Sequence, residues 1–318
     1  MYNQELKTQF IKQYTTSINL RKACVTVFNA LEPYEVKWGA DLCTQPPEVL
    51  TPIINEALGI RSTSAHMRLD ALTEYVRWCI KNGVPGAIDG MSGVVISAVE
   101  KMKRQTVTSP LHLQKYLNQI CEPESEKTTD NIYRCFYWLA YGGVPETDIL
   151  KIKKSDVDFQ SMTVRFNDTE YPIYREAIPA FRNCVNLEMF VYKHPNYSAD
   201  KTVYKARAIG DTLVRGIRSL PTLHSMRVEL ARRSTKFINA GKTEMNLSYY
   251  RVWISGMFYR MYERERAGFP VDFSKASEKF TFGKTYKFDK ARYSLTAYQH
   301  KIAKTYLQDY ENWKQTFK

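Results

Sequence analysis

The chain has 318 residues and 37.1 kDa, with 44% hydrophobic and 25% charged residues. That composition excludes a disordered polyelectrolyte or a collagen-like chain and leaves room for two domains. The formal charge is +13 and is unevenly placed: residues 1 to 126 hold 13 basic and 13 acidic groups, 127 to 199 hold 9 and 9, and 200 to 318 hold 24 and 11. The whole excess therefore lies in the last third, the pattern of a polyanion-binding face.

In chain order, Glu5 to Tyr14 carries Leu6, Phe10, Ile11 and Tyr14 at helical spacing. A second helix is capped by Asn19, runs through Ala23, Val27, Phe28 and Leu31, and is expected to end at Pro33. Pro46-Pro47 opens a third, lined by Val49, Leu50, Ile53, Ile54 and Leu58 and stopped by Gly59. Ser62 to Ile80 has an apolar stripe of Met67, Leu69, Leu72, Tyr75, Val76 and Cys79, closed by Asn82-Gly83. These segments predict a helical domain over residues 1–105.

The second domain, 106–318, starts with a helix after Ser109-Pro110 through Leu113, Tyr116, Leu117 and Ile120. A polar loop ends at Asp130, which is expected to cap a buried helix from Ile132 to Ala140. Gly142-Gly143 stops it, and Pro145 begins a short helix over Glu146 to Ile152. The period then changes from 3.6 to 2: Met162 to Phe166 and Glu170 to Tyr174 alternate about an Asn167-Asp168 turn, predicting a β-hairpin. Helices are expected again over Ile178 to Tyr192, Leu223 to Phe237 and Ser248 to Arg266, followed by polar, aromatic segments to Trp313. The fold class predicted is mainly α (α+β), with one small antiparallel sheet.

Several chemistries are excluded. The longest apolar run, Tyr133 to Tyr141, is under half of the roughly 20 residues a membrane span needs. The N-terminus lacks a basic and apolar leader, so a cytoplasmic, nucleoid-associated location is expected. Six scattered cysteines predict reduced core thiols, and no metal or other cofactor is expected. Gly241-Lys242-Thr243 and Gly283-Lys284-Thr285 lack the leading glycine of a phosphate loop, having Lys236 and Glu278 there.

The order helix, glycine turn, helix, hairpin, helices resembles the tyrosine recombinases, the phage integrase family. One anchor is LAYGGVPETDILKIKKSDVDFQSMTVRF, Leu139 to Phe166, similar to that family's first box; the other is Ala240 to Gly268, similar to its His-x-x-Arg-His stretch. The resemblance implies a helical core-binding domain before a catalytic domain, closing as a C-shaped clamp on double-stranded DNA. It also implies a metal-independent reaction in which a tyrosine forms a 3′-phosphotyrosyl link while two arginines bind the phosphorane oxygens.

The family's reacting positions are changed. Pro145 stands at the first arginine, Tyr250 at the first histidine, Trp253 at the second arginine and Ile254 at the following histidine, and no lysine occupies the hairpin turn. Tyr286, Tyr293 and Tyr262 are nucleophile candidates by spacing. The resemblance with these losses implies a catalytically impaired DNA-binding protein of a mobile element, acting alone, with an active recombinase partner, or as a DNA-assisted homo-oligomer. Two alternatives stay open: an active integrase with a relocated set such as Arg227, Arg251 and Tyr262 or Tyr286, and a non-catalytic protein-interaction module.

The DNA-contact candidates are Lys151, Lys153 and Lys154 beside the first box, Arg251, and a basic segment with Arg215, Arg218, Arg227, Arg232, Arg233 and Lys236. Leu223, Val228, Leu230 and Phe237 supply the apolar side expected to dock that segment.

Overall fold

Most of the amphipathic stripes form helices, and the chain is mainly helical with small antiparallel sheets. A computed structural model describes residues 1–57, 62–121, 129–193, 203–216, 220–240, 245, 247–274 and 295–317. The chain divides into two compact units, Met1–Met102 and Lys103–Lys318.

In the first unit, α1 (Gln4–Tyr14), α2 (Ile18–Trp38), α3 (Pro47–Ala57) and α4 (Ser62–Lys81) surround Phe10, Phe28 and Tyr75, whose rings meet edge to face at 5.0–6.2 Å. Pro33 does not end α2, which continues to Trp38. Proline forfeits its bond to the preceding turn and crowds the carbonyl there, but the residues beyond it are held from outside. Glu35, fully buried, accepts from Lys7 Nζ at 2.5 and 2.6 Å and from the Leu42 N–H at 3.0 Å. Gly39, at φ 65°, then makes the left-handed turn that stops the helix. In α4 the stripe packs from Leu72 to Cys79, whereas Met67, expected inside, is 37% exposed.

The unit boundary falls within α5 (Ala98–Gln105). The second unit is built on α7 (Thr129–Gly142), in which every side chain from Cys135 to Tyr141 is buried. Ser109 caps α6 (Pro110–Ile120), accepting from the His112 N–H at 3.1 Å. Asp130 lies inside the first turn of α7 rather than at its cap, and its carboxylate pairs with Arg233 instead. Gly143, at φ 100°, turns the chain into α8 (Glu146–Ile149), with Pro145 as its cap.

The hairpin forms as β2 (Thr163–Phe166) and β3 (Thr169–Pro172), joined to β1 (Val157–Asp158). Asn167 and Asp168 both take positive φ, as a two-residue hairpin turn with matching twist requires. The next helix, expected to reach Tyr192, is only α9 (Ile178–Val185). Met189–Lys193 is instead β4, paired antiparallel with β5 (Val203–Arg207), so the described residues form two sheets rather than one. A short apolar run is readable as helix or strand, and a pairing partner decides it.

Helices α10 (Leu223–Asn239), α11 (Tyr249–Arg266) and α12 (Leu295–Lys314) complete the unit. Helix α7 packs directly on α11, where a Cβ at Gly256 would run into the Tyr141 backbone. All six cysteines are free and buried; burial pushes the Cys24 thiol up to about 11 and the Cys121 thiol up to about 12. Among the described residues, no helix is long and apolar enough to cross a membrane.

Candidate nucleic-acid interface

The two stretches that carry the recombinase resemblance lie against each other. The glycine turn after α7 is braced by α11: Trp253 Nε1 donates to the Gly143 carbonyl at 3.2 Å, and the Tyr249 hydroxyl donates to the Val144 carbonyl at 2.7 Å. Arg260 donates to the Tyr141 carbonyl and packs its guanidinium where a Cβ of residue 143 would sit. Glycine is needed there both for the backbone angle and for that space.

The groups at the positions that the resemblance aligns with reacting residues serve packing. Trp253 and Ile254 belong to an apolar cluster with Met257, Phe258, Phe273 and Trp313, and Tyr250 stacks on Trp253 with ring centroids 6.3 Å apart. Tyr262 is drawn into the same cluster, stacked on Phe317 at 5.2 Å and edge-on to Trp313 at 6.0 Å. Pro145 supplies no donor. Arg251 sits 11 residues before Tyr262, about 16 Å along the helix, in the neighbourhood of Tyr116 and Tyr137; burial pulls its guanidinium down to about 10. The relocated set of Arg227, Arg251 and Tyr262 is thus spread over different surroundings. Tyr286, Tyr293 and Arg218 lie outside the described residues.

The cationic candidates divide by what already holds them. Arg215 is 4% exposed and donates to the Cys184 carbonyl, so it is an internal strut rather than part of a surface. Arg233 is pinned between Asp130 and Glu229, at 2.9 Å from each, and lies over the Tyr133 ring at 4.4 Å. Arg232 shares Glu229, and Arg227 forms a bidentate pair with Glu146; that hydrogen bonding raises the Arg227 pKa. Lys151 meets Asp148 at 2.8 Å and Lys153 meets Asp211 at 3.5 Å. Lys236 is exposed and Lys154 half-buried. On α10 the docked side is Met226, Leu230 and Ser234, whereas Val228, expected to pack, is 53% exposed.

Two exposed cations escape a helical reading of this region: Lys205 and Arg207, on β5. Their signal is the run of β-branched and aromatic residues in MFVYK and VYKAR, separated by turn-forming Pro, Asn, Ser and Asp. Among the described residues, no group of His, Cys, Asp and Glu side chains is placed to hold a metal ion. Compared with known proteins, the chain matches no family model and no curated sequence.

Proposed function

We propose that this protein binds double-stranded DNA as a tyrosine-recombinase-type protein that has lost strand-transfer chemistry, with Met1–Met102 in the core-binding role and Lys103–Lys318 in the catalytic-domain role. Charge segregation carries the proposal: the first unit holds 10 basic and 10 acidic residues, the second 36 and 23. Phosphate affinity rests on such cations, because each phosphate neutralised releases condensed counterions. Exposed pairs such as Arg232 with Glu229 are worth only about 0–1 kcal/mol, so a phosphate can displace the carboxylate. The loss of chemistry is supported by Pro145, Trp253 and Ile254, which offer no guanidinium or imidazole to a phosphorane. The role that fits is occupancy or regulation of a mobile-element site, alone, as a DNA-assisted oligomer, or beside an active recombinase.

The test uses the full chain on nicked duplexes from its own flanking genomic DNA at two salt concentrations, with denaturing gels beside mobility-shift gels. A salt-sensitive shift without a covalent band is expected. A band that survives denaturation and is lost in a Tyr→Phe variant, Tyr262→Phe among them, overturns the loss of chemistry. Failure to shift at low salt overturns DNA binding itself.

A further inference from the structure

We infer that the β4–β5 ribbon is a principal DNA-contact element of the second unit, with Lys205 and Arg207 as its phosphate ligands; this rests on the DNA-binding proposal and assigns its surface. The register pairs Met189 with Arg207 and Val191 with Lys205. Side chains alternate along a strand, so these four share one face, while Phe190 and Ala206 share the other. Phe190 is 1% exposed and belongs to the core that includes α7, which fixes the ribbon to the body of the unit. The opposite face is open: Met189 is 43% exposed, and Lys205 and Arg207 are exposed.

Among the described residues, Lys151, Lys153, Arg227, Arg232 and Arg233 are each held by a carboxylate, whereas Lys205 and Arg207, like Lys236, are not. A phosphate arriving at Lys205 and Arg207 displaces no ion pair formed among the described residues.

The chain leaving β5 also continues the patch. Thr212 bridges Lys153, the Lys154 N–H donates to the Asp211 carbonyl at 3.0 Å, and the Leu213 N–H donates to the Ile152 carbonyl at 2.7 Å. The chain just past the ribbon, at Asp211 to Leu213, is thereby stitched to the Lys151–Lys154 segment. A two-stranded ribbon fits the roughly 12 Å width of a DNA major groove. Charge complementarity selects a phosphodiester partner: the strands Met189–Lys193 and Val203–Arg207 contain basic residues and no acidic one.

The test compares the full chain, a Lys205→Ala/Arg207→Ala variant, and a Lys301→Ala/Lys304→Ala variant that removes the same charge from α12. Fluorescence anisotropy on a labelled duplex is read across a salt series, with a thermal melt by circular dichroism to establish that each variant folds. The ribbon variant is expected to lose about tenfold or more in low-salt affinity and about two from the log–log salt slope. The α12 variant should stay within about twofold of the parent, as charges outside the contact surface act only through a screened field. If the parent binds with a salt dependence and both variants behave alike, the ribbon assignment is overturned and DNA binding stands. If the parent binds no DNA at low salt, both fall. Ribbon-dependent binding to polyglutamate without DNA binding reassigns the face to an acidic protein and overturns the inference.

Discussion

Arg227 on α10 clasps Glu146 at the start of α8 through two parallel hydrogen bonds, Nε to Oε1 at 2.7 Å and Nη2 to Oε2, across 81 residues of sequence. The pair closes beside Pro145, at the residue that follows the resemblance's first reacting position, and this arginine is already bound to a carboxylate. Arg227 is 58% exposed, and such pairs contribute about 0.2–1 kcal/mol. Glu146→Ala should therefore cost no more than about 1 kcal/mol in urea unfolding. The same change frees a guanidinium and removes a negative charge, so DNA affinity should rise and the log–log salt slope steepen by about one. Unchanged anisotropy curves would place Arg227 outside the interface.

In the first unit, Lys7 and Glu35 are both fully buried, with Asp41 3.7 Å from the ammonium and the Phe28 ring 5.2 Å away. Removing one partner leaves the other charge uncompensated, and Lys7→Met should cost about 3–5 kcal/mol. Lys7→Met with Glu35→Gln should cost less than Lys7→Met alone, because the amide keeps an acceptor for the Leu42 N–H without a charge. Urea unfolding of the two variants checks the order; equal or greater loss in the double variant would mean the pair is not what anchors α1.

Trp253, which the resemblance aligns with the family's second arginine, packs in the interior of the second unit. Its ring is 8% exposed in the cluster with Phe258 and Trp313, and its indole N–H holds the Gly143 carbonyl. Trp253→Ala should destabilise by about 3–5 kcal/mol. Trp253→Arg should also destabilise while producing no covalent adduct on nicked DNA, since the guanidinium enters apolar surroundings. A soluble, stable Trp253→Arg protein that traps DNA would show the position to be still competent.

Docking of α12 on α11 should depend on acid. Glu265 accepts from the Tyr310 hydroxyl at 2.5 Å and from Lys314 Nζ at 3.0 Å, and these bonds hold its pKa below the ordinary value of 4.5. A carboxyl with a depressed folded pKa contributes stability above its unfolded pKa and loses it as pH falls through the folded one. The fluorescence of Trp313, buried beside Tyr310, should thus shift as pH drops below about 4.5. The shift should be absent in Trp313→Phe and reduced in Glu265→Gln. An identical acid transition in Glu265→Gln would assign it elsewhere.

Local patterns were legible wherever one segment holds its own signal. Leu72 to Cys79 and Leu113 to Ile120 repeat at helical spacing and pack as helices, and Asn167-Asp168 between alternating runs specifies its hairpin without outside help. The charge excess of the last third is likewise a property of composition alone. Decisions that depend on a distant partner were not legible. Met189–Lys193 is a strand because Val203–Arg207 pairs with it, and α2 runs past Pro33 while Lys7 holds Glu35 from another helix. Whether a cation is available to phosphate is decided the same way. Arg227 and Arg233 read as surface charge until Glu146 and Asp130 arrive from elsewhere in the chain, whereas Lys205 and Arg207 meet no carboxylate among the described residues. Spacing along a chain determines what a segment can bury; which charges are neutralised depends on through-space distances that only tertiary packing sets.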